Sequence, residues 1–238
     1  MQKYNKIKQD LVDKYSQEPL TEVIRTLDEN FERDYFTLDD MFIEERRQLL
    51  GLHLNNKVAK FSSNFRTMYE ESRRTIVQLS ELGVDIPPEM KIVSKYTLSK
   101  DFNALFESAD DILEKDVIQN ASDIINEANT LKITLDTKSA GKLFDTELLR
   151  NLKKLSKNLE LQETEIVSDI LEKAQTLKIG LDLSEAQNIY FDKIHSKLPE
   201  IMQITLNSKD AKIRKLVKNI IKIGKYLDIN VESFEKQI

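Results

Sequence analysis

Cysteine and tryptophan are absent from the 238 residues, and glycine (5), proline (4) and histidine (2) are scarce. Without cysteine there is no disulfide, no thiol nucleophile and no thiolate metal site, a composition that fits a reducing cytoplasm. Without tryptophan the usual platform for stacking a sugar ring is missing, leaving only Tyr and Phe. Sparse Gly and Pro argue against a turn-rich β fold and for helices joined by short links. His53 and His195 lie far apart, and neither has a second His or a HExxH-type partner at metal-ligand spacing. There is no Gly-rich phosphate loop and no nucleophile elbow. No run approaches the roughly 18 apolar residues of a membrane span. The opening residues, MQKYNKIKQDLVDKY, lack the apolar segment of a secretory signal.

Charged residues make up 32% of the chain and hydrophobic ones 40%, which is globular rather than disordered, and the length suffices for a substantial core. A net charge of -5 gives no global pull toward nucleic acid or anionic lipid. Carboxylates are abundant, but on helical surfaces they are solvated, and no acid/base pair stands out.

The apolar spacing predicts an all-α fold, a helical-hairpin array with a long N-terminal spine helix and short extended connectors. Short helices are expected over residues 3–15 and 20–34, with Thr37 and Asp40 at capping-box distance. The spine is expected over residues 44–82, carrying Leu50, Leu54, Val58, Phe61, Phe65, Met68, Ile76 and Leu79 at three- and four-residue steps, with Gly51 as a point of bending. Breaks are expected at Ser99–Asp101, near residues 108–111 and at Pro199. The chain divides into an N-terminal part, residues 1–107, and a repeated part, residues 108–238, or the two form one continuous domain.

One phrase recurs four times: ELGVDIP at residues 81–87, TLKITLD at 130–136, TLKIGLD at 176–182 and YLDINVE at 226–232. Each follows a helical stretch and alternates apolar with polar residues, so Leu177, Ile179 and Leu181 share one side while Lys178 and Gly180 face away. Each is read as a joint whose apolar residues are buried, Leu131, Ile133 and Leu135 among them. Asp182 is placed to start the next helix, with Glu185 completing an acidic capping box, and Gly180 has the freedom for a positive φ. The second and third copies are offset by 46 residues, from Ile124 to Ile170. The intervening helices differ, which makes this a repeated joint rather than a full solenoid.

Three polar groups are candidates for binding. The last long helix, residues 209–227, carries Lys212, Arg214, Lys215, Lys218, Lys222 and Lys225 around its apolar stripe. It is either a patch for an acidic partner or, the preferred reading, a solvated face over ordinary core. In QNIYF, Gln187 and Asn188 face water, pair with backbone, or meet a ligand, backbone pairing being the default. Arg46, Arg47 and the run Tyr69, Glu70, Glu71, Arg73 form either a docking surface or helix-surface ion pairs.

The stretches ERRQLLGLHLNNKV, YEESRRTIVQLSELGVDIPPEMKIVSKYTLSKDF and LKIGLDLSEAQNIYF occur in that order. Together, over about residues 36–195, they resemble the C-terminal helical domain of unknown function attached to glycoside hydrolase family 57-type proteins, relatives of α-amylase and α-mannosidase. That family usually carries Trp where Ser184 stands here. The resemblance implies a helical accessory module in carbohydrate metabolism, since the catalytic carboxylates of those proteins belong to a distorted (β/α) barrel. The chain begins close to the start of the helical region, so the region without its barrel is expected, and with it no catalytic residue and no cofactor. The implied partner is a glycoside hydrolase-type barrel, with polysaccharide met indirectly and neither nucleic acid nor membrane. Arg46, Arg47, Tyr69, Glu70, Glu71, Arg73, Gln187, Asn188 and Tyr190 are the candidates for the barrel-facing surface. The alternative is a stand-alone helical interaction scaffold.

Overall fold

The computed structural model describes residue 25, residues 43–207 and residues 210–235. The expected helix over 3–15, that over 20–34 apart from helical residue 25, and the Thr37/Asp40 pair lie outside them. Every regular element among the described residues is helical: α1 (Ile43–Glu81), α2 (Pro88–Glu107), α3 (Lys115–Thr130), α4 (Lys138–Lys157), α5 (Leu161–Thr176), α6 (Ser184–Lys193), a 3₁₀ turn (His195–Lys197), α7 (Leu198–Asn207), α8 (Ala211–Tyr226) and α9 (Glu232–Glu235). Two compact units divide at Glu71/Ser72, within α1. The spine helix thus forms with the expected ends, but the expected boundary at 107/108 falls inside the second unit, where α2 packs on both α3 and α4. On α1 the predicted apolar stripe leaves Leu50, Leu54, Val58, Phe61 and Met68 exposed, whereas Ile76 is buried.

In the second unit the helices form successive hairpins. α2 pairs with α3 and α4 with α5; α4 also touches α2 and α6, and α5 also touches α8. Lys215 and Lys222 on α8 meet Glu165 and Glu172 on α5, both at 2.6 Å. The pairing rises in the same sense along both helices, so α5 and α8 run parallel, as equivalent helices of neighbouring hairpins must. α4 shows why the hairpins hold: Ala140, Phe144, Leu148, Leu152 and Leu155 recur at three- and four-residue steps and are all fully buried. Each large one contributes about 1.5–3 kcal/mol by leaving water. Phe144 meets Phe106 edge-on at 5.3 Å, and Phe106 meets Phe102 in the same way.

All four copies of the repeated phrase close their helices in one geometry. The N–H groups of Gly83, Lys132, Lys178 and Asp228 donate to the carbonyls of Ser80, Asn129, Gln175 and Lys225. Those of Val84, Ile133, Ile179 and Ile229 reach back five residues to Leu79, Ala128, Ala174 and Gly224, at 2.8–2.9 Å. This pair of bonds is the Schellman ending, which requires a left-handed residue just past the helix. That residue is Gly83 (φ 73°), Lys132 (56°), Lys178 (53°) and Asp228 (54°). The positive φ for which Gly180 has room therefore sits two residues earlier, because the bonding pattern fixes it at the third residue of the phrase whatever side chain is there.

A second repeated feature ties the second and third joints to the preceding hairpin. Ser99 Oγ accepts the N–H of Asp136 at 2.9 Å, and Asp145 Oδ1 accepts that of Asp182 at 3.1 Å. Both bonds span 37 residues, and both partners shift by the same 46 residues between copies. Desolvation raises the Asp145 carboxyl above its usual range, opposed by the bond from Asp182. The repeat thus reaches into the helices, further than the phrase alone indicated. It also explains why α2 is unbroken at Ser99–Asp101: Ser99 and Asn103 spend their polarity on the next joint, Asn103 accepting from Ala140 N–H and donating to Asp136 O.

Two other expectations are corrected at α6 and α7. Pro199 does not end a helix but stands in the first turn of α7, where its missing N–H has no helical partner to lose; the interruption falls earlier, at residues 194–197. Asp182 accepts from the N–H and hydroxyl of Ser184, at 3.1 and 2.7 Å, as a start signal should. Glu185 does not close a capping box, its carboxylate instead meeting Lys153 at 2.7 Å.

Candidate docking surface

The nine candidate residues divide between the units. In the first, Arg46 belongs to α1 with its side chain outside the description, Arg47, Glu70 and Glu71 are exposed, and Tyr69 is buried. Glu70 lies 3.6 Å from Arg66 one turn earlier, an exposed pair worth a few tenths of a kcal/mol.

In the second unit, Arg73 makes a two-pronged bond to Glu127 on α3, at 2.5 and 2.6 Å. It borders an open groove of ≈ 470 Å³ between the end of α1 and α3, together with Arg74, Gln78, Glu81, Asp123 and Glu127. Both charge signs line the groove in near balance, so it offers no net field to an ionic ligand.

QNIYF performs structural work around the last joint. Gln187 Nε2 donates to Leu227 O at 2.9 Å, the backbone pairing expected of it. Asn188 is exposed. Tyr190 is fully buried, its hydroxyl donating to Ile220 O at 2.8 Å, so it cannot present its ring to a docking surface. A Cβ on Gly224 would lie 2.6 Å from the Tyr190 hydroxyl and 2.7 Å from Val231, which is why α8 carries glycine there. Tyr190 follows the buried Phe144 by 46 residues, and that offset could have marked it as core. Exposed Phe191 instead stacks on His195 at 5.2 Å, and His195 meets Phe234 edge-on at 5.4 Å. Arg73 and Gln187 engage different elements, α3 and the last joint.

The basic helix α8 is neutralised where it faces neighbours. Lys215 and Lys222 pair with α5 and Lys225 with Glu235 of α9, leaving Lys212, Arg214 and Lys218 exposed. The bond from Lys222 lowers the Glu172 pKa and is matched by a raised Lys222, both groups remaining well solvated. A solvated face over a core stripe describes this helix. Among the described residues, no group of three or more His, Cys, Asp or Glu is arranged to hold a metal ion, and no helix is long and apolar enough to cross a membrane.

The surface that sequence reasoning missed is the first joint. Its leading residues Leu82 and Val84 are 78% and 49% exposed, while Leu131, Leu177 and Leu227 at the head of the other three are at most 1% exposed. Compared with protein-family models, curated proteins and solved structures, the chain matches none.

Proposed function

We propose that the chain is a non-catalytic helical module that packs against a glycoside hydrolase-type barrel, supplying structure and cleft walls to a carbohydrate-active system. The observation that carries this reading is the use to which the resembling stretches are put. LGVDIPPE forms the first joint, LKIGLDLSE the third joint and its helix start, and QNIYF fixes α6 to the last joint through Gln187 and Tyr190. On this reading, the resembling stretches serve the module by building its joints. The test is a pull-down from the native source with the barrel protein identified by mass spectrometry, alongside an assay of the purified chain on α-glucan and aryl glycosides. Recovery of a barrel and no turnover is expected. Turnover that is lost on changing one carboxylate overturns the reading.

A stand-alone interaction scaffold is the second reading, favoured by the parallel stacking of equivalent helices across hairpins. An adjacent gene encoding a barrel distinguishes the first reading from the second.

A further inference from the structure

The joints of the second unit lie in a row, each seated on the one before. Leu177 and Lys178 of the third joint border a small cavity with Ala128, Ile133 and Leu135 of the second. Tyr226 and Asp228 at the fourth border another with Ala174, Ile179 and Leu181 at the third. Ser80, just before the first, donates to the carbonyl of Thr130, which opens the second, at 2.5 Å. Leu177 of the third joint borders the second, and the leucines of the second, third and fourth joints are at most 1% exposed.

The first joint has no such neighbour within the second unit. Leu82 is 78% exposed, and Ile92, one turn into α2, is 63% exposed. The far end of the row is closed, because α9 follows the fourth joint, Val231 is buried and Phe234 packs on His195. Stacked repeats need a polar cap at each end to stay soluble, so an uncapped apolar end is an interface. We propose that the first joint is the docking face for a folded partner that presents an apolar ridge flanked by Lys or Arg.

Continuity and charge identify the occupant. The face is the same surface that seals one hairpin on the next elsewhere in the row, so a partner element seated there continues an interface the chain already uses. Around it Glu81, Asp85 and Glu89 are all exposed, with half-buried Lys91 as the one cation in residues 81–92. A second copy meeting this face about a two-fold axis would set those acids against their own counterparts, which disfavours self-pairing. A basic-rimmed partner is attracted instead. On the reading above, on which this inference rests, that partner is the barrel.

The experiment uses the full chain, wild type and Leu82→Asp/Val84→Asp, as bait for the barrel protein, followed by titration with the purified barrel. Because both side chains are exposed, the double variant is expected to melt within a few degrees of wild type. Binding is expected to weaken roughly thirtyfold or more, as for loss of central anchors, and wild-type binding to weaken with added salt. Gln203→Glu, exposed on α7, leaves binding unchanged. Equal retention of the barrel by the double variant overturns the docking face while leaving the module reading intact. Failure of the wild-type chain to retain a barrel overturns both. Wild-type dimers in light scattering that the double variant abolishes overturn the choice of partner in favour of a second copy.

Discussion

Gly224 and Gly180 are the same residue in opposite situations. A methyl group on Gly224 would press on the Tyr190 hydroxyl and Val231, whereas one on Gly180 would meet nothing within 4 Å. Gly224→Ala is expected to cost roughly 1–2 kcal/mol in urea unfolding, overpacking outweighing the gain in helix propensity. Gly180→Ala is expected to be neutral or to gain up to about 1 kcal/mol. Tyr190 itself gives a pH signature. Burial pushes its hydroxyl above the ordinary value of 10.0, so near that pH the unfolded chain releases a proton that the folded chain keeps. Its contribution is complete below the unfolded value and is lost as pH rises through and beyond it. Stability measured from pH 8 to 11 should fall less steeply for Tyr190→Phe than for wild type, and identical slopes would refute the burial. QNIYF was legible as a place where amides pair with backbone. The position of Tyr190 was not, because a tyrosine beside exposed Asn188 and Phe191 reads equally well inward or outward until the 46-residue offset sets it opposite Phe144.

At the scale of elements, the joints were the most legible part of the chain, since alternating apolar residues after a helical run leave few other readings. Of the four residues in the left-handed conformation only Gly83 is a glycine, whereas the sequence alone points to Gly180. At Lys132, Lys178 and Asp228 two backbone bonds impose it on side chains that ordinarily avoid it, and no residue type announces that. Nor could the phrase reveal which copy is exposed, because all four carry leucine second and an apolar residue fourth, and exposure depends on what packs against them. The structural difference is measurable by one substitution made twice. Leu177→Ala is expected to cost about 2–5 kcal/mol, and Leu82→Ala less than about 0.5 kcal/mol, by chemical denaturation of the chain alone. Comparable losses at the two sites would show that the first joint is covered as the third is.

At the scale of the whole molecule, the principal core is built from residues between Phe102 and Phe234, all within the second unit. A fragment of residues 72–238 is therefore expected to be helical by circular dichroism and to unfold in one cooperative transition; a gradual, non-cooperative melt would count against this. The expected division at 107/108 falls inside the second unit, where α2 packs on α3 and α4. Composition does not change at Glu71/Ser72, and one helix runs through it, so nothing local in the sequence marks the division. A docking face is harder still to read, since half of what defines it belongs to the partner. The two bonds spanning 37 residues carry a consequence for inheritance. Removing residues 131–176 joins Thr130 to Leu177, restores the phrase TLKIGLD, and sets Asp182 where Ser99 now meets Asp136. The shortened chain should remain helical and cooperative though less stable, for the joint is a splice point at which copy number can vary while the grammar of the fold is kept.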